Sequence, residues 1–117
     1  MKKVFHLSTC NTCQRIMNEV GVDKTFEIQD IKSTKIKASQ LDAMKKMAGS
    51  YEALFSRRSM KYRPLGLHEM EMTEKDYRKY ILQEYSFLKR PVFIIEDDIF
   101  VGNAKKTVAQ LKEKLGK

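Results

Sequence analysis

The sequence is short of the residues that build metal sites and disulfide frameworks. Its 117 residues include only two cysteines and two histidines, His6 and His68, which lie far apart. A structural zinc site takes four ligands at characteristic spacings, so no metal is expected here. A disulfide between cysteines three positions apart would close too short a loop to stabilise the fold by chain entropy. No apolar run approaches the roughly 18 residues that mark a membrane-spanning helix. The N-terminal apolar stretch is also too short for a signal peptide, and polar residues follow it at once. The expected setting is the cytoplasm, where thiols stay reduced. Acidic residues are in the minority, 15 against 23 Lys and Arg, which leaves a net charge of +8. That excess favours anionic partners: oxyanions, acidic protein surfaces or nucleic acid. The basic residues are scattered and no reading motif accompanies them, which argues against direct nucleic-acid binding. A chain of this length makes one domain that buries a modest core without covalent staples.

What the sequence does have is both cysteines in one turn, Cys10-Asn11-Thr12-Cys13. Val4, Phe5 and Leu7 upstream form a β-prone run, and Cys13, Ile16, Met17 and Val20 downstream recur at helical spacing. Cys10 therefore falls at a helix N-terminus, where unpaired N–H groups and the positive end of the helix dipole favour a thiolate. Such a setting lowers a thiol from about 8.5 into a range of about 3.5 to 7.5. Cys13, one helical turn on, is placed to attack a mixed disulfide formed at Cys10 and release the product. The alternative is a pair of inert thiols packed as small hydrophobes.

In chain order, a strand at about 3–7, the thiol turn and a helix ended by Gly21 precede a second strand carrying Thr25, Phe26, Ile28 and Ile31. This βαβ unit runs to about residue 34, with a right-handed crossover expected between its parallel strands. Residues 35–88 read as a helical insertion. Ser39 with Asp42 is expected to cap a helix bearing Leu41, Met44, Met47 and Ala48, which Gly49 stops. A short turn of helix spans Tyr51 to Phe55, and a basic loop, Ser56 to Pro64, follows. Thr73 with Asp76 caps a further helix carrying Tyr77, Tyr80 and Ile81 and extending toward Glu84 to Leu88. The methionines of the insertion are expected to fill its core. Val92 to Ile95 then reads as a strand buried on both faces, paired through the Glu96-Asp97-Asp98 turn with Ile99 to Val101. Asn103 is expected to cap a last helix with Ala104, Val108, Leu111 and Leu115 on one stripe. The fold class is α/β: a mixed sheet, β-α-β, helical insertion, β-β-α, flanked by helices. A Cys-x-x-Cys turn opening such a unit is a thioredoxin-like signature.

Three stretches make the sequence similar to the ArsC-like family: Ser-Thr-Cys-Asn-Thr-Cys-Gln-Arg from Ser8, Ser-Arg-Arg-Ser from Ser56, and Lys-Arg-Pro-Val-Phe-Ile-Ile from Lys89. That family holds glutathione/glutaredoxin-linked arsenate reductases, YffB-type thiol reductases and the transcription regulator Spx. The resemblance spans nearly the whole chain, as one ArsC/Spx-like domain whose thioredoxin-like core is about 1–34 and 89–117. It implies that Cys10 is the nucleophile, that Arg58 and Arg90 surround it, and that Pro91 is the cis-proline beside the thiol. Guanidinium groups suit that place, because they stay charged and offer forked donors to an oxyanion. Arg57 is the adjacent alternative to Arg58, and Asn11, Thr12 and Gln14 are candidates for polar contacts in the turn.

Two readings follow from the resemblance. In one the chain is a thiol-dependent oxidoreductase acting on a small oxyanion or a disulfide, with Cys13, glutathione or glutaredoxin as resolving thiol and no bound cofactor. In the other it is a redox-switched regulator that binds RNA polymerase through the C-terminal domain of the polymerase α subunit. The arsenate reductases carry a third arginine after the hairpin, whereas Phe100-Val101-Gly102-Asn103 here has none. The second cysteine also departs from the glutaredoxin-dependent enzymes, and both departures are shared with Spx. The turn Gly49-Ser50 lies near the family's polymerase-contacting glycine.

Overall fold

A computed structural model describes residues 1–117. The chain forms two compact units, residues 1–35 with 90–117, and residues 36–89.

The first unit is built on a four-stranded mixed sheet. Strand β1 (Lys2–His6) is its centre, where Val4, Phe5 and His6 are all buried. It pairs in parallel with β2 (Glu27–Asp30) and antiparallel with β3 (Val92–Ile95), and β3 pairs antiparallel with β4 (Asp98–Val101). The order is β2-β1-β3-β4. A parallel β1–β2 pair cannot be joined by a hairpin; helix α1 (Asn11–Val20) supplies the crossover. Gly21 ends α1 with φ 76°, a backbone region that costs glycine nothing. Its N–H bonds Asn18 O at 3.2 Å and the next N–H, of Val22, bonds Met17 O at 2.9 Å, the double closure of a Schellman cap.

The apolar stripes of α1 and of α4 (Lys105–Lys114) cover one face of this sheet. Val4, Phe93 and Ile95 from the strands meet Ile16, Met17 and Val20 of α1 and Val108 and Leu111 of α4 in one cluster. Phe26 stands edge-on to Phe93, with ring centroids 6.2 Å apart. All four residues of β3 are buried, as its unbroken apolar run predicts. The expected cap of α4 is displaced: Ala104 holds the cap position, without a side-chain bond, and Asn103 lies one residue outside. The chain uses those residues to leave β4 through Gly102, whose φ is 89° and whose N–H bonds Pro91 O.

The second unit contains α2 (Ala38–Ala48) and α3 (Glu74–Gln83), with 3₁₀ turns at Glu52–Leu54, Leu67–Glu69 and Tyr85–Phe87. Its core is aromatic more than methionine-based. Phe55 stacks on Phe87 at 5.1 Å between centroids and meets Tyr77 at 5.0 Å. Leu41, Met44, Leu54, Leu67 and Ile81 complete it, whereas Met60 and Met70 are exposed, contrary to the expectation for this stretch. Thr73 and Asp76 form the expected capping box of α3. Helix α3 does not run on to Leu88, because Glu84 turns extended and its carboxylate takes up Ser86 N–H and Lys61 Nζ.

Helix α2 starts earlier than the Ser39–Asp42 pair predicts. Lys37 is its cap residue, and the Gln40 side chain accepts the Lys37 N–H at 2.9 Å. Asp42 is drawn instead into a tertiary pair: Arg78 Nε and Nη2 donate to its two oxygens at 2.8 and 3.2 Å, and Tyr51 OH donates at 2.6 Å. Arg78 first and Tyr51 second hold the Asp42 carboxyl down at about 2. A free aspartate titrates near 3.9, so on acidification the unfolded chain takes up this proton first. The contribution of Asp42 to stability is therefore complete above about pH 4 and lost as the pH falls through the folded value. Denaturant unfolding across this window is expected to show a shallower loss of stability for Asp42→Asn than for the parent; equal slopes would remove the pair as an acid-sensitive contact.

Candidate functional site

Strand β1 delivers the chain into a four-residue turn, Leu7 to Cys10, closed by Cys10 N–H donating to Leu7 O at 2.9 Å. Cys10 leaves that turn extended (φ −95°, ψ 108°) as the cap residue of α1. Its sulfur accepts the Cys13 N–H at 3.4 Å, the bond that a serine or aspartate oxygen makes at an ordinary helix start. Both cysteines are free thiols; Cys10 is partly exposed and Cys13 is fully buried.

The two sulfurs have opposite electrostatics. Partial burial works against the Cys10 thiolate, but the Cys13 N–H, the Cys13 thiol and the guanidinium of Arg90 outweigh it, and the thiol is held below its ordinary value. Burial pushes the Cys13 thiol up to about 12; Leu7 N–H on its sulfur opposes the rise, and the neighbouring Cys10 charge adds to it. This arrangement favours the thiolate at the accessible Cys10 and keeps the buried Cys13 a protonated thiol in reserve.

Arg90 lies two residues before β3, and the Arg90–Pro91 peptide bond is cis with Pro91 buried. Asn11 is the first, exposed residue of α1, and Thr12 is half-buried beside it. The candidates that the structure brings together at the thiol turn are thus Cys10, Cys13 and Arg90. Arg57 and Arg58 belong to the second unit. There Arg57 Nη2 donates to Glu52 Oε2 and Tyr77 OH, each at 2.9 Å, and Arg58 is exposed with its N–H bonded to Ser56 Oγ.

Sequence reasoning passed over two residues beside the turn. His6 is a buried side chain of β1, and Gln14 Nε2 lies 3.4 Å from its Nδ1. Asp30 ends β2 opposite His6, and its Oδ1 accepts the Ser8 N–H at 3.1 Å and the Lys32 N–H at 3.2 Å. The bond to Lys32, two residues on, is an Asx turn, a local pattern that Asp-x-x-Ser suggests. The bond to Ser8 spans 22 positions and has no sequence signal.

The sequence profile of the ArsC family matches residues 5–111. No curated protein matches the chain. Solved structures similar to it include an arsenate reductase from Vibrio cholerae, at a TM-score of 0.76 and 12% identity over 96% of this chain and 95% of that one. A YFFB protein aligns at a TM-score of 0.76 and 18% identity, covering 95% of this chain and 98% of its own. A protein of Staphylococcus aureus COL, SACOL0876, aligns at 0.72 and 22% identity, covering 94% and 97%. These likenesses establish the thioredoxin-like α/β architecture.

Proposed function

The chain belongs to the ArsC family, and from that premise we propose that it is a thiol-dependent oxidoreductase with Cys10 as its nucleophile. The observation that carries the reading is the setting of the Cys10 sulfur at the cap of α1, bonded by the Cys13 N–H and faced by Arg90. An inert thiol needs neither partner. The Cys10 thiolate attacks one sulfur of a disulfide substrate; the Cys10–S bond forms, the substrate S–S bond breaks, and the leaving thiolate takes a proton from solvent. Cys13 then gives up its proton and attacks the Cys10 sulfur, releasing the second thiol and leaving a Cys10–Cys13 disulfide. The substrate has gained two electrons and the protein has lost them. Part of what holds Cys13 protonated is the Cys10 charge, and that charge is absent in the mixed disulfide, so resolution is favoured only after attack. Glutathione or glutaredoxin returns the pair to the dithiol.

For an oxyanion substrate, Arg90 supplies charge and forked donors. The hairpin lacks the third arginine of the arsenate reductases, which favours a disulfide over arsenate. The test is the pH dependence of Cys10 alkylation by iodoacetamide in Cys13→Ser, followed by mass. Serine at 13 keeps the N–H and a hydroxyl donor. A midpoint below the roughly 8.5 of a free thiol is expected, moving upward in Arg90→Met. A parent midpoint at or above that of a free thiol would overturn the reading.

The regulator reading is favoured by Gly49, which ends α2 at φ 98° with nothing within 4 Å of where a Cβ would lie. An open turn of that kind suits contact with another protein. Under it, capture by the C-terminal domain of polymerase α depends on the oxidation state of Cys10 and Cys13; no binding in either state would count against it.

A further inference from the structure

We propose that Asp30 is a positioning residue for the thiol turn: its carboxylate clamps Ser8 and thereby holds the Cys10 sulfur at the cap of α1. The inference rests on the reading of Cys10 as the nucleophile.

The turn from Leu7 to Cys10 has Ser8 and Thr9 as its central residues, and the Cys10 N–H closes it. Glu96 is the one non-glycine residue with positive φ. Ser8 and Thr9 therefore both have negative φ, which among the common hydrogen-bonded turns leaves type I. In such a turn the N–H of the first central residue takes no part in the closing bond and must find another acceptor. Asp30 Oδ1 accepts it at 3.1 Å.

Asp30 is itself anchored from two sides. Its backbone stands opposite His6 in the β1–β2 ladder, which Ile31 N–H extends by bonding His6 O at 2.9 Å. Its side chain is fixed by Lys32 N–H at 3.2 Å and by Ser33 Oγ at 3.4 Å. Loss of hydration works against the carboxylate, yet the bonds from Ser8 and Lys32 and the nearby His6 keep it below the ordinary aspartate range. The clamp is thus charged at neutral pH.

The far end of the turn carries the nucleophilic sulfur: Cys10 presents it as the helix cap, where the Cys13 N–H bonds it at 3.4 Å. Play at Ser8 would loosen that bond, which favours the Cys10 thiolate. The negative charge of Asp30, in contrast, works against that thiolate. Its benefit is geometric, and the two effects have opposite signs, so substitutions can separate them. Asp30→Asn removes the charge and keeps an acceptor oxygen; Asp30→Ala removes both. Ser8→Pro removes the N–H while locking φ near the −60° that a type I turn requires.

The experiment is the pH profile of iodoacetamide alkylation at Cys10, in the Cys13→Ser chain, for these three variants and the Ser8→Pro/Asp30→Ala double. Asp30→Ala should alkylate about three- to tenfold more slowly at pH 7, the scale of one ordinary hydrogen bond, with its midpoint raised. Asp30→Asn should bring the midpoint back to the parent's or slightly below it, and in the Ser8→Pro background Asp30→Ala should cause no loss. An unchanged profile in Asp30→Ala, an equal loss in Asp30→Asn, or an undiminished loss in the proline background would each overturn the clamp. Should the parent itself titrate as a free thiol, the nucleophile reading fails. Amide exchange then decides the clamp alone: Cys10 and Cys13 N–H exchanging faster in Asp30→Ala, with Val108 and Leu111 unchanged, supports it, and unchanged Cys10 and Cys13 rates overturn it.

Discussion

Cys10→Ser is expected to abolish reduction of a disulfide substrate, while Cys13→Ser keeps the first attack and loses the second. A serine hydroxyl does not ionise at neutral pH, and neither the Cys13 N–H nor Arg90 changes that by the required margin. The loss should be on the order of 10³-fold or more, the scale on which removing a nucleophile acts in other enzymes. In Cys13→Ser the mixed disulfide at Cys10 has no internal thiol to resolve it. Intact mass should show a stoichiometric adduct after one turnover, and added glutathione should release it. Because Cys13 is fully buried, Cys10→Ser is expected to form no adduct. Parent-like turnover in Cys10→Ser would remove Cys10 from the mechanism, and an adduct at Cys13 in that variant would contradict the division of roles.

Phe93→Ala is expected to cost about 3–5 kcal/mol of stability, the usual range for emptying a buried phenylalanine site. Phe93 is 1% exposed, faces Val4 across the β1–β3 pair and meets the edge of Phe26. It thus joins the sheet to the α1 and α4 layer at the centre of the cluster. Against a total of about 5–15 kcal/mol, that loss removes a large share of the stability. Urea unfolding with linear extrapolation measures it, and Ile28→Ala, at an edge-strand position 49% exposed, serves as a near-neutral reference. A loss below about 1 kcal/mol would mean that Phe93 is not packed as described.

The order of strands and helices around the thiol turn was legible because each signal is local. Alternation and continuous apolar runs marked β1 and β3, helical spacing marked α1 and α4, and Gly21 marked a stop whose φ only glycine adopts freely. The caps were less legible. Ser39–Asp42 has the right spacing for a capping box, but the Arg78 guanidinium, 36 positions away, takes the Asp42 carboxylate. A bidentate charged pair outcompetes a cap, and nothing near Asp42 in sequence announces it. The methionines misled in the same way: Met60 and Met70 are apolar but lie on turns whose core is already filled by Phe55, Tyr77 and Phe87.

By itself, the sequence determined that the chain carries two thiols one helical turn apart at the start of an amphipathic helix. Spacing and a helix start are properties of neighbouring residues, and they also set the order β-α-β and β-β-α. The helix start already favoured a thiolate at Cys10, but only the tertiary structure decided how the two thiols differ, Cys10 partly exposed and Cys13 buried and pushed up to about 12. That difference comes from burial, from Arg90, which lies 80 positions beyond Cys10 and is brought to it in the fold, and from a turn held by Asp30 on the neighbouring strand. Desolvation and charge act through space, and no local pattern of residues encodes which groups the sheet will bring to a sulfur.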